Sequence, residues 1–424
     1  MTIVYGEDDT GDPAAPQPSS PAAPPPTGPP ASRPPGLPGT VKGLSLVSLF
    51  NDFASEMVYP LLPAFITSLG GGPAILGALD GASDLTSAAL KWLSGRWADR
   101  PGWRKPLILI GYGTALFIRP FIALAGAAST VLGFRVIDRV GKGLRTPARD
   151  AMIADATPAP LLGRAFGFHR GADHFGAVLG SVAAWFLLSR GVAVRDVIAW
   201  TWLPGLIVML ILFRVLRGAP SVKPSDPLAP PGVDATGRVF WGPMLMLAAL
   251  ALFRVPEALL LLRLQGLGVP LATIPLVWAG LHVVRSAAAY PGGWLSDALG
   301  TRGTVAVGGL LFAAVMYLMG GALTELAGVV VFLGLGLASG LLEPAERALV
   351  AQLAPVRTGR GFGAYHGVTG LAALPAGLLF GLVYQNAGAG VALRASAALM
   401  AVTALGWLVL RSPGRRPPPP LPTR

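Results

Sequence analysis

The sequence predicts an all-helical integral membrane protein, with twelve transmembrane helices arranged as two six-helix, pseudo-symmetric bundles. Three observations carry that prediction. The first is composition: 53% of the 424 residues are hydrophobic and only 13% are charged, where a soluble domain carries about 25% charge. Mean hydropathy is +0.60, which places the chain in the membrane class. The second is segment length, since a membrane-crossing helix needs about 20 mostly apolar residues. The third is a repeat: two charged phrases about 198 residues apart, each preceded and followed by a long apolar segment.

Taken in order, residues 1–42 form a Pro/Ala-rich N-terminal tail, read as disordered because it cannot bury a core. It lacks a basic start followed by an apolar run, so it does not read as a secretory signal. The first bundle, 43–216, holds apolar segments at 43–69, 73–98, 106–127, 130–155, 163–188 and 194–215. Residues 217–238, rich in Pro, Ser, Asp and Gly, read as a flexible linker. The second bundle, 239–411, holds segments at 239–264, 269–297, 303–322, 325–353, 360–385 and 388–410, and a loose tail follows at 412–424.

The repeat extends beyond one motif. Gly95-Arg-Trp-Ala-Asp99-Arg100-Pro-Gly102-Trp-Arg104-Lys105 matches Gly293-Trp-Leu-Ser-Asp297-Ala-Leu-Gly300-Thr-Arg302. Pro147-Ala-Arg149-Asp150 aligns with Pro344-Ala-Glu346-Arg347, and Gly163-Arg164-Ala-Phe-Gly167 aligns with Gly359-Arg360-Gly-Phe-Gly363. Chance similarity between apolar segments would not repeat polar residues at one offset and in one order.

Charge sets the expected orientation. Net charge is +12 and the sequence pI is about 10.6. The bases collect in one set of loops, with Arg96, Arg100, Arg104, Lys105, Arg164, Arg214, Arg217, Arg302 and Arg357, while the opposite loops hold Arg190, Arg195 and Arg394. By the positive-inside rule both termini and the linker are expected to be cytoplasmic. No basic cluster sits on a soluble segment, so nucleic acid is not an expected partner. The absence of cysteine excludes disulfides, thiol catalysis and Cys metal sites.

The phrase from Gly95 to Lys105 resembles the loop 2–3 signature of the major facilitator superfamily, and the phrase from Gly293 to Arg302 resembles its second copy. The resemblance covers roughly residues 43–411. It implies two bundles that rock around a site near the membrane midplane. Arg135-Val-Ile-Asp138-Arg139-Val-Gly141-Lys142-Gly143-Leu-Arg145-Thr-Pro147 looks like a group of bacterial carriers of mostly unassigned substrate. Gly167, Gly171, Gly176 and Gly180 are near the glycine pattern of the family's exporters, with Ser181 where that pattern has proline. The first helix lacks the arginine that the family's organophosphate carriers use there, while Arg254 stands in the seventh.

Charges inside the predicted spans are the candidate site. Twelve bases fall there: Lys91, Arg119, Arg135, Arg139, Lys142, Arg145, Arg149, Arg170, Arg254, Arg263, Arg285 and Arg347. Each costs about 2.5–3.5 kcal/mol at a lipid-exposed helix centre, so they must face a cavity, pair with acids or lie near a surface. Arg135, Arg139, Lys142, Thr146 and Arg149 recur every three or four residues and share one helix face. That face reads either as a basic cavity wall or as an ion network with Asp52, Glu56, Asp80, Asp84, Asp138 and Asp150. Asp52 and Glu56 are four apart, which suits proton coupling because neighbouring carboxylates raise one another's pKa; Asp80 and Asp84 repeat the spacing. His169 with Asp173 forms a further polar cluster, and His174, His282 and His366 also fall in spans. Arg254, Glu257 and Glu343 lie on the seventh and tenth helices, which pair by symmetry with the first and fourth.

A cytoplasmic gate is expected from Gly95, Asp99, Arg100, Gly102, Arg104 and Lys105, with Arg145, Arg149, Asp150, Asp297, Arg302, Glu346 and Arg347. Arg145 and Arg149 are expected to pair with Asp99 or Asp155. An Asp at that helix end can accept from helix-start N–H groups and from arginines, and such contacts can form in one state and break in another.

No HExxH, Gly-x-Ser-x-Gly or ATP-binding loop occurs, so neither an enzyme, a metal nor a cofactor is expected. The sequence reads as a secondary active transporter of a small solute in a bacterial-type cytoplasmic membrane, coupled to protons and exporting a drug or metabolite. Import or exchange of an anionic metabolite is the alternative, and a non-transporting membrane sensor the remote one. The partners expected are a small-molecule substrate, protons and the lipid bilayer, for a monomer or weak dimer.

Overall fold

A computed structural model describes residue 2 and residues 37–98, 100, 102–157, 162–218, 238–353 and 358–409. The predicted tails, the linker interior and Asp99 lie outside the described residues. Of Asp297 only the helical backbone is described.

From residue 37 onward the chain is one compact unit, and every regular element among the described residues is helical. The first crossing is α1 (Gly39–Val58), a 3₁₀ turn (Tyr59–Leu61) and α2 (Leu62–Ser68). Then follow α3 (Pro73–Ala98), α4 (Arg104–Phe121), α5 (Ala128–Ala156) and α6 (Leu162–Ser189); α7 (Val194–Ala199) and α8 (Trp202–Gly218) make the sixth crossing. In the second half α9 (Arg238–Leu252) and α10 (Glu257–Gly266) share the seventh crossing, with Pro256 as N-cap of α10. Proline there lacks an N–H and interrupts the helix.

The element α11 (Ile274–Gly321) runs for 48 residues, but Gly300 at φ 78° and ψ 154° is not helical. An unbroken helix of that length would be about 70 Å long, far more than a bilayer, so α11 is two crossings joined at a turn. Then come α12 (Glu325–Leu353), α13 (Thr358–Ala387) and α14 (Ala389–Val409). The path makes twelve crossings.

The backbone records the duplication more sharply than the side chains do. Among the described residues six glycines have positive φ: Gly70, Gly102, Gly191, Gly268, Gly300 and Gly388. They form three pairs, Gly70/Gly268 and Gly102/Gly300 at an offset of 198 and Gly191/Gly388 at 197. L-residues pay to adopt this conformation, so both halves turn at the same places by the same device. Gly102 and Gly300 sit at the end where the basic loops lie, called the basic end below.

Among the described residues, eight stretches are long and apolar enough to cross a membrane on composition alone. The crossings outside that set are α1–α2, α3, α5 and the first part of α11, which carry Glu56, Asp80, Asp84, Lys91, Arg139, Lys142 and Arg285. Large apolar side chains cover the outer surface, Phe117 at 65%, Leu245 at 62% and Leu326 at 74% exposure among them. So much exposed apolar surface suits a lipid surround rather than water.

Among the described residues the two bundles are joined most tightly at one end. One apolar core combines Val58, Leu62, Phe65, Leu76 and Leu79 of the first half with Leu259, Trp278, Leu335 and Phe380 of the second. At the basic end the first bundle keeps its own core, with Leu44, Ile108, Tyr112, Met152 and Leu212 and no member from the second half. The joined end is sealed by α3 against α13. A Cβ on Gly77 would fall 1.9 Å from the Gly377 carbonyl oxygen, and one on Gly377 would fall 2.0 Å from that of Gly77. The backbones touch, and only glycine permits it.

Candidate functional site: a charged cavity between the bundles

Between the bundles lies a cavity of about 590 Å³. The first half contributes Glu56 and Tyr59 from the first crossing, Asp80, Ser83, Asp84, Ser87 and Lys91 from α3, and Arg139 and Lys142 from α5. The second half contributes Arg254 and Glu257 beside the α9–α10 break and Trp278, His282 and Arg285 from α11. Glu343, Glu346 and Arg347 from α12 and Tyr365 and His366 from α13 complete it.

Bonds that cross between the bundles gather at its sealed end. Trp278 Nε1 donates to Glu56 Oε2 at 2.8 Å, and His282 Nε2 lies 3.8 Å from the same oxygen. The rings of Tyr59 and Trp278 stack obliquely at 5.0 Å. Asp80 Oδ2 accepts from the Tyr59 hydroxyl at 2.8 Å and from the Ala258 N–H at 3.1 Å. Ala258 is in the first turn of α10, whose early N–H groups lack helical partners. An acid of the first bundle therefore caps a helix of the second, where a negative charge meets the positive end of the helix dipole.

The second wall is internally paired. Arg285 and Glu257 approach to 2.5 Å, Arg254 and Glu346 to 3.4 Å, and Arg347 and Glu343 to 3.3 Å. Tyr365 adds a hydroxyl bond to Glu346 at 2.5 Å. The first wall is not paired: among the described residues no carboxylate lies within the 4.0 Å salt-bridge distance of Lys91, Arg139 or Lys142.

Other residues named from sequence lie elsewhere. Arg135 and Asp138, 1% and 0% exposed, sit inside the first bundle rather than on the cavity wall. Asp138 takes Arg119 at 2.9 Å and Arg135 at 3.6 Å, and Arg119 also donates to the Asn51 carbonyl at 2.7 Å. The basic face of α5 is thus divided by depth: Arg139 and Lys142 reach the cavity, while Arg135 and Arg149 are covered by neighbouring helices. Asp52 lies off the cavity, accepting from Asn51 Nδ2 at 2.9 Å. His169 is buried, 3.4 Å from Ser45 Oγ and 3.8 Å from Asp173, and Asp173 also receives Arg170 at 3.3 Å. Gly176 and Gly180 admit the Leu49 and Phe53 carbonyls of α1, which a Cβ would meet at 2.2 and 2.1 Å; their glycine spacing serves packing.

At the basic end, Arg145 donates to the Gly111 carbonyl at 3.1 Å and lies over the Tyr112 ring. Arg149 pairs with Asp150 at 2.9 Å and donates to Ser48 Oγ at 2.9 Å. Asp155 is taken instead by Arg104, whose Nε donates to the Ala98 carbonyl at 2.9 Å. Arg104 is nearest along the chain to the α3–α4 turn made by Gly102, so that turn delivers it to α5. Gly95 faces open space and Arg100 is exposed; Lys105 and Arg302 open the helical segments that follow the two turns. Glu346 and Arg347, named for the gate, line the cavity.

Sequence reasoning marked Lys91 and Arg285 only as intramembrane charges and passed over Tyr59, Ser83, Trp278 and Tyr365. The repeat offset is the signal that finds several of them. Adding 198 to Glu56, Tyr59, Asp80, Asp84 and Ser87 gives Arg254, Glu257, Trp278, His282 and Arg285, and all ten line the cavity.

Comparison with known proteins agrees with this architecture. An uncharacterized MFS-type transporter of Methanocaldococcus jannaschii is 27% identical over 355 residues, covering 81% of this chain and 87% of the relative. A bacterial homologue of the human lysosomal transporter Spinster, in an inward-facing, unoccupied conformation, aligns with TM-score 0.63 at 18% identity, over 87% of this chain and 94% of that one. A peptide transporter of the POT family aligns with TM-score 0.74 at 12% identity, over 88% and 94%. At those identities the two structures establish the fold alone. The family described as Major Facilitator Superfamily matches residues 44–281 and again 258–424, which together span both bundles, and the chain is a member of that superfamily of transporters.

Proposed function

We propose that the protein moves a small polar metabolite across a cytoplasmic membrane by alternating access, with the cavity between the bundles as its binding site. The observation that carries this reading is the pairing of a charged central cavity with a seal that, among the described residues, lies at the end away from the basic loops. The bundles share a core and touch backbone to backbone at one end, while at the basic end the first bundle's core stands apart. With basic loops toward the cytoplasm, this is the cytoplasm-open state. Charged walls favour a metabolite over a lipophilic drug, and efflux is the direction proposed.

Protons are the proposed coupling ion. Glu56 and Asp80 line the cavity and also make the hydrogen bonds that join the bundles, so a change in their charge acts on substrate site and seal together. The linked bonds supply the differential contact between states that any coupling requires.

Proteoliposomes holding a pH dye test this reading. Candidate metabolites added to one side are expected to move protons with the solute in the native protein. A Glu56→Gln/Asp80→Asn variant is expected to retain solute exchange and lose the proton signal. Proton movement at the native rate in that variant would remove the coupling role, and absence of flux for every solute class in folded native protein would remove the transport reading.

A further inference from the structure

We infer that the wall formed by α3 and α5 is an oxyanion site, so that the transported solute carries a carboxylate or phosphate group. The inference rests on the transport reading above and adds the substrate's chemistry.

Three cations face this wall. Arg139 and Lys142 are three residues apart on α5 and therefore neighbours on its surface. Lys91 follows Ser83 and Ser87 at intervals of four on α3, on one face. The helices touch at this level: Ser94 Oγ donates to the Gly143 carbonyl at 2.7 Å, and a Cβ on Gly143 would meet Leu90 at 2.4 Å. Leu90 and Gly143 adjoin Lys91 and Lys142 in sequence, so the crossing brings the two lysines to one region.

These cations lack the partners that their counterparts possess. Each base of the opposite wall has a carboxylate within 3.4 Å. On this wall Glu56 and Asp80 are engaged by Trp278, Tyr59 and the α10 N-terminus. Asp84 is the third acid of this wall, and like Glu56 and Asp80 it lies beyond 4.0 Å from Lys91, Arg139 and Lys142, so these bases have no direct ion partner among the described residues.

Two buried donors point to a ligand independently of that pairing. Ser83 is 3% exposed and lines the cavity, and its hydroxyl has no hydrogen-bond partner among the described residues. Arg139 Nε is likewise buried and unpartnered, as are Arg254 Nε and Arg285 Nε across the cavity, so the Ser83 hydroxyl is the donor particular to this wall. Buried donors left unmade are costly. An oxyanion between α3 and α5 supplies acceptors to both and a direct partner to the three bases, and a guanidinium with nearby ammonium groups is the donor set that such a group recognises.

The test uses the purified full-length protein in lipid nanodiscs, with binding followed by calorimetry and by thermal shift. The probes are glycerol 3-phosphate, malate, tetraphenylphosphonium and glucose. Glycerol 3-phosphate or malate is expected to bind, and Arg139→Gln or Lys142→Gln to weaken binding about tenfold or more, the loss of one charged hydrogen bond. Arg139→Lys is expected to retain part of the affinity, which guards against a folding artefact. Preference for glycerol 3-phosphate over malate assigns a phosphate, and the reverse a carboxylate. Binding of tetraphenylphosphonium or glucose alone would overturn the oxyanion site while leaving the transport reading intact. Anion binding unchanged in both Gln variants would also overturn it, and so would a folded protein that binds none of the four.

Discussion

The two walls of the cavity are copies of one another in position and opposites in chemistry. Glu56 corresponds to Arg254, Asp80 to Trp278, Asp84 to His282 and Ser87 to Arg285 at an offset of 198; Arg139 corresponds to Gly336 and Lys142 to Ser339 at 197. The second wall closes its charges on themselves in three ion pairs. The first wall spends its acids on the seal and leaves its bases facing the cavity. The turns and close helix contacts persisted through duplication while the lining diverged. A symmetric frame thus carries an asymmetric site, which suits a carrier whose solute is itself asymmetric.

The largest effect should follow from breaking the frame where the halves meet. Gly77→Leu places a side chain where a Cβ alone would already sit 1.9 Å from the Gly377 carbonyl oxygen. Overpacking against backbone costs about 1–3 kcal/mol or more, directed at the sealed end. Transport is expected to be lost, with the protein still inserted. The native chain has no cysteine, so a single Ala74→Cys reports the seal without further engineering. Its labelling is expected to rise in the Gly77→Leu background, and labelling that stays low would show that the seal does not depend on this contact.

Next come paired substitutions that set the walls against each other. Arg285→Ala leaves Glu257 half-buried without its partner and is expected to cost about 1–3 kcal/mol. The Arg285→Ala/Glu257→Ala double variant is expected to recover most of that loss. Lys142→Ala removes one of three crowded cations and is expected to leave the unliganded protein as stable or raise its stability by up to about 1 kcal/mol. Opposite signs in melting experiments would support the contrast. Equal destabilisation by the two single substitutions would mean that Lys142 is paired as firmly as Arg285.

How much of this was legible beforehand depends on the physical signal. Twelve crossings and the duplication were readable because bilayer thickness sets segment length and because polar residues repeat at one offset. Asp80, Asp84, Arg139 and Lys142 were readable as charges that lipid would reject. Depth and pairing were not readable. Helix periodicity puts Arg135 and Arg139 on one face, yet one turn decides between a buried network with Asp138 and an open wall. The Asp80–Ala258 bond was invisible too, because its donor is backbone at a helix start created by the break before Pro256. The partner of Asp155 was not readable either, since Arg104 reaches it from the turn at Gly102.

Asp80→Asn is expected to have a smaller effect than the wall substitutions, and one of a different kind. The amide still fits between Tyr59 and Ala258 but loses its charge against the α10 N-terminus, worth about 0.3–1 kcal/mol. Such a change shifts the two-state balance by a few-fold at most without unfolding the protein. Labelling of Ala74→Cys should therefore rise modestly with melting temperature unchanged. An equal drop in melting temperature and no change in labelling would reassign Asp80 from latch to simple packing.

The remaining test bears on the frame itself. Gly102 and Gly300 have φ of 81° and 78°, and a Cβ at either would meet nothing within 4 Å. Alanine there meets only the intrinsic penalty of positive φ, about 1–3 kcal/mol at Gly300, whose ψ of 154° lies in a region essentially restricted to glycine. If duplication preserved the turns while the walls diverged, Gly102→Ala and Gly300→Ala should lower stability by the same amount, with substrate affinity unchanged. The wall variants should differ in sign over the same assay. Unequal costs at the two glycines would mean that the basic-end turns have also diverged, Arg104 bracing one of them through Asp155 and Ala98, and the asymmetry would then extend from the lining into the frame.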